Sequence, residues 1–211
     1  MAVVLSISLL LKMLGMAIPL GLAFVVLVQG RRRLNWIFCL FMFAIALWSG
    51  GTFMLHMAFL PGVEDVTFWL QVALFGFLGI PMALYMLALE LSDMPTSFFK
   101  CSTITVGFLL LLICWGALFG RFFEVKAEAL PNGEILYSFD YFSPPFVLGL
   151  FYLFTYFFLA EGVLLWPLYQ FRQASRVQVE SNPLLALGGA LTLIGGELNI
   201  FLILDKYPID S

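Results

Sequence analysis

Lys12, His56, Glu161, Glu197 and Asn199 stand inside long apolar runs of the chain. A charge at the centre of a bilayer costs at least ~2.5–3.5 kcal/mol, so such side chains face protein or a water-filled cavity and mark candidate functional sites. Glu161 and Glu197 each lie several residues inside both ends of their runs. Each needs a cationic partner, a wet pocket, or a proton that neutralises it, because burial disfavours the charged form. Lys12 and His56 are the basic residues inside runs at a depth comparable with Glu197. Lys12, His56, Glu197 and Asn199 can therefore border one polar, ligand-binding pocket. The same residues also admit a structural reading. Lys12 can snorkel outward, His56 can be a hydrogen-bonded helix end, and Glu197 or Glu161 can be a protonated carboxyl bonded to a neighbouring helix. Glu90 stands at the end of its run, where it reaches water or the nearby arginines.

Other chemistry is excluded by what the chain lacks. A retinal protein needs a buried lysine for its Schiff base, and the last apolar run has none, with Lys206 beyond its end. A bis-histidine haem needs two histidines, and His56 is the single one. His56 alone suits one axial chlorophyll or, more simply, a helix-end hydrogen bond. No zinc, nucleotide or phosphate motif is present, and no nucleophile, base and orienting group can be assembled. The expectation is no enzyme activity, no resident cofactor and no metal. Cys39, Cys101 and Cys114 lie in or beside the apolar runs, away from the long polar loop. They read as small apolar residues rather than disulfide or metal partners.

The elements that must hold these groups follow from composition. Hydrophobic residues are 63% of the chain and charged residues 11%, with a mean hydropathy of +1.04. Soluble domains carry about 25% charged residues. An all-α polytopic membrane protein is expected, a single helical domain with no room for a sizeable soluble one. About 20 helical residues cross the ~30 Å of hydrocarbon. Six such spans fit the sequence, at about 7–29, 34–59, 67–91, 101–119, 146–171 and 184–204. The net charge of −3, with no basic tract, gives no sign of nucleic-acid binding. A basic cluster follows the first span instead of preceding it, which argues against a cleaved signal peptide. The chain shows no internal repeat.

The sixth span is the most unusual. Gly188, Gly189, Gly195 and Gly196 interrupt it, and in a membrane small residues let helices approach closely. Gly188, Thr192, Gly195 and Asn199 share one helical face, while Glu197 projects to nearly the opposite side. Both faces then need protein neighbours, which predicts a central position in the bundle. Lys and Arg counts near the spans set the orientation. One side receives Arg31, Arg32, Arg33, Lys100, Arg172 and Arg176, and the other Lys12, Arg121, Lys126 and Lys206. The first side is expected to be cytoplasmic in a plasma or inner membrane, with the N-terminus and the 120–145 loop outside. Lys12, His56 and Glu197 then fall in the outer half, and Glu90 and Glu161 in the inner half. Within the loop, the stretch ILYSFDYF at 135–142 is aromatic and amphipathic and suits the headgroup layer. The aromatic run at 151–158 covers all sides of its helix and reads as lipid-facing and packing surface.

The order of these features resembles the N-terminal seven-transmembrane sensor region of bacterial sensor histidine kinases and some diguanylate cyclases. The matching residues are the basic turn Arg31, Arg32 and Arg33, then Trp48 in the second span and Gly79-Ile80-Pro81 in the third. A polar residue at the cytoplasmic end of the third span, a long outer loop, Arg172-Gln173 and Pro208-Ile209-Asp210 follow. The resemblance implies a seventh span after Pro208-Ile209-Asp210, then a cytoplasmic kinase or cyclase. Six of the spans are visible, with no ATP-binding motif and no phosphoacceptor histidine, since His56 lies in a helix.

Three functions compete. The resemblance and the outer polar pocket favour a sensory or signal-transducing module without catalytic activity of its own. It would work in the bilayer beside an output domain on a longer chain. The heavy aromatic surface and short polar loops favour an accessory or structural subunit of a larger membrane complex. Glu161, Glu197 and the proline-broken helices favour a transporter core, a reading weakened by the missing repeat.

Overall fold

The computed structural model describes residues 2–30, 32–57, 66–91, 98–119, 125–129, 135–139 and 143–171. They form five helices and one two-stranded ribbon. The helices are α1 (Ala2–Gln29), α2 (Arg33–His56), α3 (Val66–Leu91), α4 (Phe98–Phe119) and α5 (Pro144–Phe171). Strands β1 (Val125–Ala129) and β2 (Ile135–Phe139) pair antiparallel between α4 and α5, with Val125 opposite Phe139 and Ala129 opposite Ile135. Part of the stretch expected along the headgroup layer is thus the second strand of a ribbon. The sixth expected span, 184–204, lies outside the described residues.

Among the described residues, four helices carry apolar stretches long enough to cross a membrane: Arg33–Leu55, Val66–Leu91, Phe99–Phe119 and Pro144–Leu164. α1 adds the apolar stretch Lys12–Val28. Between α1 and α2 the chain turns within a few residues. Gly30 makes the turn at φ +157°, a conformation that L side chains rarely adopt. Asn35 then donates its Nδ2 to the Gly30 carbonyl at 2.8 Å and to the Val26 carbonyl at 3.3 Å. The last four carbonyls of a helix have no partner in their own ladder, and Asn35 supplies one of them. One turn further on, the Cys39 thiol donates to the Ala23 carbonyl at 3.3 Å.

Glycines set how closely α2 and α3 pack. A Cβ on Gly51 would lie 2.6 Å from the Ala73 backbone nitrogen, and one on Gly76 would lie 2.5 Å from the Trp48 nitrogen. Backbone therefore meets backbone, the small-residue packing that membrane helices use in place of a hydrophobic driving force. Arg33 stands fifteen residues before Trp48 and Glu90 fourteen after Gly76. The same antiparallel register thus brings Arg33 to Glu90.

α3 is the helix shared by the rest. It packs on α2, α4 and α5, and β1 lies against it. Its buried side chains run from Leu70 to Leu89 and include Pro81, Met82 and Tyr85. Toward α4 the register is set by Gln71 donating to the Leu118 carbonyl at 3.3 Å and Trp115 Nε1 donating to the Phe75 carbonyl at 3.2 Å. Trp115 also stacks on Phe75, ring centres 4.1 Å apart.

Candidate functional site

The residues expected to form an outer pocket are placed as far as the described residues reach. Lys12 is half-buried in the first half of α1, and His56 is the last residue of α2. Gly15 lies against Ser49 and Gly50 against Met16, which sets an antiparallel register between α1 and α2. Carried on by one turn, that register brings Lys12 level with Phe53. At 1.5 Å per residue, this is roughly 5 Å short of His56 along the bundle axis. Lys12 and His56 therefore share the end of the bundle opposite the arginine turn. Glu197 and Asn199 lie outside the described residues.

At the arginine end, Glu90 meets its neighbour directly. Its Oε1 is 2.9 Å from Arg33 Nε, joining the end of α3 to the start of α2. Arg33 is 68% exposed, so the pair is a surface contact of modest energy, worth about 0–1 kcal/mol. Glu161 is half-buried on α5, and its Oε1 is shielded from solvent.

A third group was not singled out from the sequence. Tyr85 of α3, Thr103 of α4, and Tyr152 and Tyr156 of α5 form a hydroxyl cluster inside the bundle. Tyr85 Oη and Thr103 Oγ1 are 2.8 Å apart, and Tyr156 donates to the Thr103 carbonyl at 2.6 Å. The rings of Tyr85 and Tyr156 meet edge to face at 5.6 Å, and those of Tyr152 and Tyr156 lie 5.2 Å apart. Tyr152 donates to the Leu78 carbonyl at 3.1 Å. A Cβ on Gly107 would overlap the Tyr156 ring, so this glycine lets α4 close on α5. The aromatic run of α5 is thereby divided. Tyr152 and Tyr156 are buried, while Phe151 and Phe158 are 61% and 58% exposed. The available signal was the four-residue spacing of the two tyrosines, which puts them on one helical face.

Cys39 and Cys114 are buried, Cys101 is exposed, and all three are free thiols. Among the described residues, no three His, Cys, Asp or Glu side chains stand together as a metal site.

The comparisons decide what kind of bundle this is. Residues 11–210 match the family model described as the N-terminal 7TM region of histidine kinase. The chain belongs to this family. Comparison with curated proteins gave no match, and neither did comparison with solved structures. The chain is accordingly an integral membrane protein, a helical 7TM region of the sensor type and not the catalytic part of a kinase. The 7TM family region takes in every element described above from residue 11 onward, including the arginine turn, Gly79-Ile80-Pro81 and the tyrosine cluster.

Proposed function

We propose that this 7TM region is a sensory module without catalytic activity of its own, which passes a signal from an outer pocket to an output on the cytoplasmic side. The family match over residues 11–210 carries the reading. Lys12, His56, Glu197 and Asn199 border the pocket, and Glu161 is a further, half-buried acid nearer the output. The register that brings Lys12 toward His56 supports the pocket. Lys and Arg placement supports an orientation with the N-terminus outside and the arginine turn cytoplasmic. The lipid bilayer is the constant partner, and an output domain on a longer chain is the functional one. A ligand acts by binding one helix arrangement more tightly than another, which shifts their populations. Small helix movements at an interface are an established way to pass such a shift on.

The test joins the full chain to a histidine kinase core and reads autophosphorylation in membrane vesicles while the outer solution is varied. Glu197→Gln keeps the shape and removes the charge, so it is expected to fold and to change the response. Glu197→Leu is expected also to lose stability, because a polar partner is left unsatisfied. Parent-like signalling by both variants would reduce Glu197 to a packing residue. A chain that purifies from its native membrane with large subunits, and shows no output response, would favour the accessory-subunit reading.

A further inference from the structure

We propose that α3 is a hinged helix, in which Pro81 is the hinge, the Tyr152 hydroxyl of α5 is its latch, and residues 82–91 are an arm that moves the arginine end of the bundle. The inference rests on backbone hydrogen bonding inside the bundle and not on the identity of any outer ligand.

Proline has no N–H, so Pro81 deprives the Phe77 carbonyl of its ladder donor, and its ring crowds that carbonyl. Gly76 and Gly79 precede it within two turns. Sharp bends in helices arise at such prolines and glycines. Pro81 and Met82 are fully buried. Backbone groups loosened there must find partners in neighbouring protein, because hydrocarbon supplies none. Both neighbours donate to carbonyls that flank that of Phe77. Trp115 of α4 donates to the Phe75 carbonyl, and Tyr152 of α5 donates to the Leu78 carbonyl.

The second bond has a specific geometry. The Leu78 carbonyl and the Met82 N–H are the i and i+4 partners of one ladder step. Tyr152 donates to the first. Its hydroxyl thus ties the carbonyl of the step immediately after the proline to α5. The step then has two arrangements: tied to α5 through the Leu78 carbonyl, or held by the ladder of α3 alone. The choice between them depends on where α5 stands.

Beyond the hinge, the arm makes polar contacts with two helices and a ring contact with a third. Tyr85 meets Thr103 of α4 and the Tyr156 ring of α5, and Glu90 meets Arg33 of α2. Ten residues of helix measure about 15 Å. A bend of about 20°, the threshold of a distinct kink, moves the tip by about 5 Å. Gly79-Ile80-Pro81, which marks the family resemblance, thereby acquires a mechanical role.

The test measures the position of the arm. Val28 and Leu91 are exposed at the arginine end, on α1 and α3. Val28→Cys and Leu91→Cys carry spin labels in a chain with Cys39, Cys101 and Cys114 replaced by Ala, held in lipid nanodiscs. Pulsed electron resonance reads the distance distribution. Tyr152→Phe keeps the ring and removes the latch, and it is expected to shift the distribution by about 5 Å. Pro81→Ala restores the ladder donor and is expected to narrow the distribution to one distance. In the Pro81→Ala background, Tyr152→Phe is expected to change nothing. A parent-like distribution for Tyr152→Phe would overturn the proposal, as would an effect of Tyr152→Phe that is the same with and without Pro81. If Tyr152→Phe does not fold, Pro81→Ala decides alone, and an unchanged width refutes the hinge.

Discussion

Replacing Gly51 with Ala tests the backbone contact on which the α2–α3 pair depends. The new Cβ would lie 2.6, 2.7 and 2.8 Å from the nitrogen, Cα and Cβ of Ala73. None of these atoms is the free end of a flexible side chain, so one helix must move. Restoring ordinary contact, which begins at 3.4 Å, requires a shift of roughly 0.8 Å at the tightest part of the interface. Overpacking of this kind costs about 1–3 kcal/mol. Alanine also stabilises a helix over glycine by about 0.5–1 kcal/mol, so the net change in a single variant is ambiguous. Gly116 on α4 resolves this, because a Cβ there meets nothing within 4 Å. Gly116→Ala carries the propensity gain without the clash, and the difference between the two variants isolates the steric cost. Thermal unfolding in detergent is expected to place Gly51→Ala below Gly116→Ala, at roughly 2–4 °C per kcal/mol for a chain of this size. Equal midpoints would mean that α2 and α3 are not in backbone contact at Gly51.

Trp115→Phe keeps an aromatic ring against Phe75 but removes the donor to its carbonyl, so a loss of about 0.5–1.5 kcal/mol is expected in the same unfolding assay. Glu90→Gln breaks an ion pair whose arginine is largely exposed; a change within about 1 kcal/mol is expected, and a larger one would show that the pair is shielded by the membrane surface. For topology, Ser138→Cys is expected to react with an impermeant thiol reagent on intact cells and Ser175→Cys is not; the reverse pattern would invert the orientation.

The apolar runs made the helical bundle legible, because hydrocarbon leaves helices as the economical way to satisfy backbone groups in so apolar a chain. Neighbouring glycines show where that legibility stops. Gly50 and Gly51 are adjacent in sequence, yet Gly50 lies against Met16 of α1 and Gly51 against Ala73 of α3. Only the placement of α2 between its two neighbours distinguishes them. The tyrosine cluster was hidden for a similar reason. Tyr152 and Tyr156 sit in an aromatic run that reads as packing surface until α3 and α4 show which face is inward. Glu90 was closer to reach, since its position near the arginines already offered neutralisation, and Arg33 provides it. The ribbon had a signal that went unread. Val125, Ala127 and Ala129 alternate with Lys126 and Glu128, the period-two pattern of a strand, and Asn132-Gly133 follows as a strong turn signal. For Glu197 and Asn199, both outside the described residues, the sequence reading remains a proposal.

The Asn35 bonds to the end of α1 have a consequence for the order in which the protein is made. A chain threaded into the membrane from its N-terminus meets each requirement in sequence. Once residue 39 has been synthesised, the Val26 and Gly30 carbonyls have Asn35 and the Ala23 carbonyl has Cys39. The first helical hairpin can therefore enter the bilayer as a unit that needs nothing still on the ribosome to close its turn. α3 differs, because its backbone partners Trp115 and Tyr152 arrive 40 and 74 residues after the carbonyls they bond. The third helix can pack on α2 at once, but it gains these two bonds only after α4 and α5 have been inserted. During that interval α3 rests on its glycine contacts with α2.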